Sequence, residues 1–206
     1  MKKVSVSILN SKNIEDDLIR INSSNADYIH IDVGDGSFIE RRHDPIKELK
    51  EIEAALTKRL DVHLMVDNPE SYILSYSELN TEYITIHCEI KKDILNILDD
   101  IKSYGIKRGL AISPDTDISF LEPFIDDIEM IIVMGVIPGK SGQSFIYNTI
   151  NKVNEIKELI GDRNILISVD GGIDNETNSL LNNDIAVSET YILSGEDINK
   201  RIESLR

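Results

Sequence analysis

The 206-residue chain is 41% hydrophobic and 29% charged, which suffices for one domain with an ordinary core and is too short for two domains of common size. Its 37 acidic and 22 basic residues give a formal charge of −15, which argues against binding nucleic acid or an anionic membrane. The single Cys88 excludes an internal disulfide and a cysteine zinc site. The sequence predicts one cytoplasmic domain over residues 1–206.

Short runs rich in Val and Ile alternate with longer amphipathic stretches along the chain. The runs predict eight strands, at residues 4–8, 28–33, 60–65, 83–87, 108–112, 130–134, 165–170 and 185–191. The other stretches predict helices at 14–23, 46–56, 70–77, 92–104, 117–125, 146–160, 176–182 and 196–204. This alternation predicts an α/β fold with a parallel sheet. Eight repeats favour a compact, eight-stranded (β/α)8 TIM barrel, and a doubly wound open sheet is the alternative.

Acids and histidines collect near the predicted carboxyl ends of the strands, where the active sites of parallel barrels lie. His30 and Asp32 are two residues apart on one strand, so their side chains share a face. His63 lies on the next strand, and Asp170 ends a strand further along. Two imidazoles and two carboxylates predict a site for one divalent metal ion, for which Zn²⁺, Fe²⁺, Mn²⁺ and Co²⁺ are candidates. The alternative is a pair of core histidines with polar partners.

Two glycine-containing loops follow late strands of the predicted barrel. One covers residues 138–143, and the other begins with Gly171-Gly172. Glycine lets backbone N–H groups approach an anion closely, and the loops after the late strands of such barrels often bind phosphate. A glycine pair alone is as typical of a tight turn, but the two loops together favour a phosphorylated ligand.

Motifs along nearly the whole chain match a known family in order and spacing. They lie at residues 7–11, 26–33, 35–38, 61–66, 68–70, 109–112, 133–136, 138–139, 142–145 and 169–173. On these motifs the chain resembles the ribulose-phosphate 3-epimerase family, TIM-barrel enzymes of pentose metabolism. The resemblance implies a metal-dependent isomerase that acts on a phosphorylated sugar and forms a homo-oligomer.

The resemblance also implies roles for individual positions. His30, Asp32, His63 and Asp170 fall where the family binds its metal, and the two aspartates fall where it keeps its acid–base pair. The positions implied to bind substrate or phosphate are Ser7, His63, Met65, Met134, Gly139, Lys140, Ser141, Gly142, Gly171, Gly172, Glu189 and Thr190.

Some positions depart from the family pattern. Gly34 stands where the family has a third active-site methionine, and we expect the missing side chain to open space beside the metal. Lys140 and Ser141 replace an aromatic residue and a glycine. Glu189 and Thr190 replace a Gly-Ser pair that helps to hold phosphate. Because an inward carboxylate would repel phosphate, we expect Glu189 to turn outward, Lys140 to compensate, or the ligand to differ.

The favoured function is a metal-dependent 3-epimerase of a ketose phosphate, with D-ribulose 5-phosphate and D-xylulose 5-phosphate as the default pair. Inversion at C3 removes a proton from one face and returns one to the other, which requires two acid–base groups, here Asp32 and Asp170. The alternatives are an epimerase of another ketose phosphate, such as a ketohexose 6-phosphate, and a non-catalytic sugar-binding descendant. A related barrel lyase is disfavoured because His63 stands where such enzymes need a lysine.

Overall fold

The computed structural model describes residues 1–139 and 143–206. Within these ranges one sheet contains the strands β1 (Lys3–Ser7), β2 (Tyr28–Asp35), β3 (Arg42–His43), β4 (Arg59–Met65), β5 (Thr81–His87), β6 (Lys107–Ile112), β7 (Met130–Met134), β8 (Leu166–Asp170) and β9 (Ile185–Ser188). All but β3 are parallel, and they close into a barrel because β1 pairs with both β2 and β9. The predicted TIM barrel is confirmed, and the open sheet is excluded.

The barrel is surrounded by the helices α1 (Ile14–Asn22), α2 (Ile46–Ile52), α3 (Glu70–Ser77), α4 (Ile94–Ser103), α5 (Thr149–Ile160), α6 (Asn175–Ser179), α7 (Thr190–Leu193) and α8 (Ile198–Glu203). Several begin at a polar side chain that accepts a backbone N–H group, as Asp93 does at α4 and Asp174 at α6. In the described ranges of the chain, no helix has the length and apolar character needed to cross a membrane.

Three segments differ from the sequence-based predictions. Residues 117–125 form two short 3-10 turns instead of a helix, because Pro123 has no N–H group to continue one. The last strand ends at Ser188, whose hydroxyl donates to the Ile173 carbonyl, and α7 begins two residues later. The strand β3 pairs antiparallel with the end of β2, and two residues are too few to show a periodic pattern.

The two faces of the strands bury different groups. On β2, Ile29 and Ile31 belong to the main core between the sheet and the helices, whereas Tyr28, His30 and Asp32 alternate onto the inner face. A smaller apolar cluster consists of Tyr28, Tyr83, Ala111, Met130, Ile132, Met134 and Ile185. His30 and Asp32 therefore face the inside of the barrel, apart from the main core.

Gly109 on β6 allows a close approach between two barrel strands, since it pairs in register with Thr85 on β5. A Cβ atom at position 109 would lie 2.1 Å from Thr85 Oγ1. We expect Gly109→Ala to lower the free energy of unfolding by about 1–3 kcal/mol, the usual cost of overpacking a core, as measured by urea denaturation.

Thr85→Ala is the matched background for that measurement. It removes the hydroxyl oxygen and leaves only the Cβ atom of residue 85, 2.9 Å from the added Cβ. Gly109→Ala should therefore cost less in this background, with a coupling of roughly 0.5 kcal/mol or more. An equal cost in both backgrounds would show that the contact with residue 85 is not what excludes a side chain.

Candidate active site

Four side chains from three strands meet at the carboxyl end of the barrel. His30 and Asp32 share the inner face of β2, and His63 is paired with Asp32 in the register of β2 and β4. Asp170 is the last residue of β8. One potential ligand atom from each side chain lies within 4.8 Å of the other three. The structure thus brings together all four residues that the sequence predicts as metal ligands.

The imidazole nitrogens that face the two carboxylates are left without hydrogen bonds. His30 Nε2 lies 3.4 Å from Asp32 Oδ1 and 4.0 Å from Asp170 Oδ2, while His63 Nδ1 lies 3.3 and 3.5 Å from the same two oxygens. Both nitrogens are buried, and no residue of the described ranges satisfies them. Buried polar atoms normally have partners. Two unpartnered imidazole nitrogens beside two carboxylates fit a divalent cation as the shared partner.

The electrostatics of the cluster also favour bound positive charge. Burial by itself would lower the pKa of His30, but the adjacent Asp32 and Asp61 carboxylates outweigh it and raise that pKa well above 6.5. Burial would raise the pKa of Asp32, but His30 and His63 hold it well below 3.8. The carboxylate of Asp32 is therefore ionised at neutral pH and attracts a cation.

Residues behind the cluster orient its members. The Asp61 carboxylate lies 2.9 Å from His30 Nδ1 and also accepts a hydrogen bond from Ser5 Oγ. The hydroxyl of Ser7 donates to Asp32 Oδ2 at 2.8 Å and accepts from the backbone N–H of Leu9. Sequence reasoning assigns no role to Asp61, although it lies two residues before His63 and therefore shares its face of β4. Its carboxylate holds His30 so that Nε2 faces the carboxylates of Asp32 and Asp170.

An open pocket of about 670 Å³ lies over the cluster, with Asp32 and Asp170 in its wall. His63 is fully buried beneath it. Of the residues predicted to contact substrate, the pocket is lined by Ser7, Met65, Met134, Gly139, Gly171, Gly172, Glu189 and Thr190. Lys140, Ser141 and Gly142 lie outside the described residues.

Gly171 and Gly172 form a turn in which neither position has room for a side chain. Both have positive φ angles, 102° and 69°, in a region that favours glycine. A Cβ atom at Gly171 would lie 2.3 Å from Val136 Cγ2, and one at Gly172 would lie 2.9 Å from Phe145. The glycines are thus needed to form this wall of the pocket, whether or not their N–H groups bind an anion.

Glu189 lies in the pocket wall, where its carboxylate is held by Asn10. Its two carboxylate oxygens accept hydrogen bonds from the backbone N–H and the side-chain amide of Asn10. Arg41 in turn donates to Asn10 Oδ1 at 2.9 Å and to the carbonyl of Leu9. Of the three possibilities raised by the sequence, this geometry favours a carboxylate directed aside over one aimed at the ligand.

The expectation that Gly34 opens space beside the metal is wrong. A Cβ atom at Gly34 would lie 2.5 Å from the carbonyl oxygen of Arg41 and 2.6 Å from Ile39 Cδ1. The buried Ile39 side chain also packs against Gly139. The position that a Cβ atom would take at residue 34 is therefore already crowded by the segment that follows β2.

Comparisons with known proteins agree with this architecture. A sequence profile of the ribulose-phosphate 3 epimerase family matches residues 3–192. Ribulose-phosphate 3-epimerase of Chlamydia pneumoniae is 35% identical over 186 residues, which cover 87% of this chain and 81% of the relative. The enzyme of the same name from Bacillus subtilis is 29% identical over 214 residues, covering 100% and 99%.

Solved structures share the fold at lower sequence identity. One is 3-keto-L-gulonate-6-phosphate decarboxylase of Vibrio cholerae, with a TM-score of 0.75 and 14% identity over 100% of this chain and 95% of the other. Another is 3-hexulose-6-phosphate synthase of Salmonella typhimurium, with a TM-score of 0.68 and 17% identity over 98% and 96%. The sequence matches place the protein more narrowly: the chain belongs to the ribulose-phosphate 3-epimerase family, whose members are isomerases acting on carbohydrates.

Proposed function

We propose that the protein is a metal-dependent epimerase that interconverts D-ribulose 5-phosphate and D-xylulose 5-phosphate. The observation that carries this proposal is the convergence of Asp32 and Asp170, from β2 and β8, on the same two imidazole nitrogens at the base of one pocket. Two carboxylates in that arrangement can serve the two faces of one substrate carbon. A sugar-binding descendant without activity would need no such pair.

In this proposal the two aspartates alternate as base and acid. One removes the proton at C3 from one face of the sugar, and the other, protonated, returns a proton to the opposite face. The hydrogen bond from Ser7 fixes one oxygen of Asp32 and directs the other into the cluster. Met65 and Met134 in the pocket wall are almost fully buried, and their apolar surface excludes water from the reacting carbon.

The ligands of the proposed divalent ion are His30, Asp32, His63 and Asp170. When bound there, the ion would act as a Lewis acid for the negative charge that develops on the oxygens of the sugar. We assign the phosphate to the pocket wall formed by Gly171, Gly172 and the start of α7. From the family we also expect a cytoplasmic homo-oligomer. Analytical ultracentrifugation would show the oligomeric state.

The reaction can be followed by NMR of ribulose 5-phosphate in heavy water with metal-loaded protein. We expect xylulose 5-phosphate to form with deuterium at C3, and a ketohexose 6-phosphate to react at least ten times more slowly under the same conditions. Faster turnover of the hexose would change the substrate in this proposal but not the chemistry. No exchange at C3 of either sugar would leave a binding protein as the better description.

The two single variants Asp32→Asn and Asp170→Asn test the two-carboxylate mechanism. Each variant should lower epimerisation by about 10²–10⁴-fold, the usual contribution of one acid–base group. Because one carboxylate remains, each variant should still exchange the C3 proton of one epimer without inverting it, and the two variants should act on opposite epimers. Metal content is measured in parallel, with excess metal added to both. Exchange of the same epimer by both variants would contradict the assignment of faces.

Metal binding should stabilise the folded protein. At a free Zn²⁺, Mn²⁺ or Co²⁺ concentration one hundred times its Kd, we expect about 2.7 kcal/mol of added stability, measured as a rise in Tm. His30→Asn combined with His63→Asn removes both imidazole ligands and should abolish the rise. An equal rise in the double variant would place the ion elsewhere on the protein.

The affinity for a phosphorylated sugar should fall above neutral pH. Burial, together with the negative charge of Asp32, raises the pKa of Glu189 to about 7, against the opposing hydrogen bonds from Asn10 and the charge of Arg41. Below pH 7 the Glu189 carboxyl is neutral, and above it the carboxylate repels the phosphate dianion. KM should therefore rise several-fold between pH 6 and pH 8.5.

Glu189→Gln is the control for that pH dependence, because it keeps the shape of the side chain and removes the charge. In this variant KM should stay nearly flat over the same range, and it should be lower than that of the wild type at pH 8.5. Parallel KM profiles for the two proteins would show that the charge of Glu189 does not act on the bound phosphate.

A further inference from the structure

We propose that His87 and Glu89 form a hydrogen-bonded relay that sets the tautomer of His63, so that its Nδ1 lone pair points at the metal position. The inference rests on the metal site of the proposed function. It assigns positioning roles to two residues that do not line the pocket.

The relay is a continuous chain of short contacts behind His63. His63 Nε2 lies 3.0 Å from His87 Nε2, and the two rings are stacked with centroids 5.0 Å apart. His87 Nδ1 lies 2.9 Å from Glu89 Oε2. Both imidazoles are fully buried, so no water competes for these nitrogens. On its other side His87 packs against the ring of Phe38, with centroids 4.6 Å apart.

The order of protons along this chain follows from its two ends. A metal ligand must present a lone pair, so His63 carries its proton on Nε2 and donates it to His87 Nε2. His87 must then be unprotonated at Nε2 and protonated at Nδ1, where it donates to Glu89. Only a group that accepts a hydrogen bond can end the chain in this order. An ionised carboxylate meets that condition because it has no proton to donate.

The surroundings of Glu89 keep it ionised and in place. Its second oxygen, Oε1, accepts hydrogen bonds from Ser113 N and Thr116 Oγ1, both at 2.7 Å. Burial alone would raise the pKa of Glu89, but these bonds and the contact with His87 lower it to about 2. The loop that contains Ser113 and Thr116 is held by Lys152 of α5. The Lys152 ammonium group donates to the carbonyls of Ser113, Pro114 and Thr116 at 2.9, 2.6 and 2.6 Å.

The two imidazole ligands are therefore supported differently. His30 contacts a carboxylate directly, that of Asp61, whereas His63 reaches its carboxylate through a second imidazole. Outer partners of this kind fix ring orientation and ligand basicity, and their loss typically costs about 10–100-fold in metal affinity. The relay thus accounts for a buried histidine and a half-buried acid that the acid–base mechanism does not use.

Glu89→Gln tests the relay, because an amide has one oxygen where the carboxylate has two. If that oxygen stays with Ser113 and Thr116, the NH₂ group faces His87 and reverses every proton in the chain, which places a proton on His63 Nδ1. We expect the Kd for Zn²⁺, measured by competition with a chelator, to rise by about 10–100-fold. The matched controls are Thr116→Val and Lys152→Met, which loosen the loop and keep the carboxylate, and these should change Kd by less than about threefold.

A second measurement on the wild-type protein does not depend on any variant folding. In the zinc-loaded enzyme, ¹⁵N NMR of the histidine side chains should show His63 protonated at Nε2 and His87 protonated at Nδ1. A proton on His87 Nε2 would overturn the relay and leave the metal site intact. The same would follow from an unchanged Kd in Glu89→Gln, or from control variants that bind Zn²⁺ as weakly as Glu89→Gln does. Failure of the wild-type protein to bind Zn²⁺ at this cluster would overturn both the relay and the proposed metal site.

Discussion

Asp32 and Asp170 are two carboxylates held close together at the mouth of the barrel, facing imidazole nitrogens that are left unsatisfied by the residues the structure describes. Two carboxylates with oxygens within 4.8 Å of each other repel. A cation between them converts the repulsion into attraction and gives the two nitrogens their missing partner. The support behind the ligands and the proposed chemistry both depend on this requirement for positive charge.

Strand register creates the site without any special local conformation. On β2 and β4 the inner-face residues occur in pairs two positions apart, and the parallel register sets His30 beside Asp61 and Asp32 beside His63. The layer of Asp32 and His63 supplies two ligands, and the layer beneath it holds the ligand His30 beside the Asp61 carboxylate that supports it. Removing one side chain therefore changes the orientation of its neighbours as well as its own contribution.

Much of this site follows from the sequence because it depends on strand periodicity. The spacing of residues 30 and 32 fixes a shared face, and the carboxyl ends of parallel strands meet by topology, so the four ligands could be predicted together. Glu189 could be identified as a departure from the family pattern, but its direction depends on Asn10, which lies 179 residues away in the chain. His87 and Glu89 are only two residues apart at the end of β5, but the support of Glu89 depends on a loop and a helix that no local pattern connects. At Gly34 the sequence shows a missing side chain. Only the structure shows that Ile39 crowds the position that a Cβ atom would take there.

The most direct measurement is anomalous diffraction at the zinc absorption edge from crystals of the zinc-loaded protein. We predict one strong peak in the barrel, within about 2.0–2.2 Å of His30 Nε2, His63 Nδ1 and one oxygen each from Asp32 and Asp170. A peak that leaves either carboxylate uncoordinated, or a zinc ion bound only at the protein surface, would contradict it.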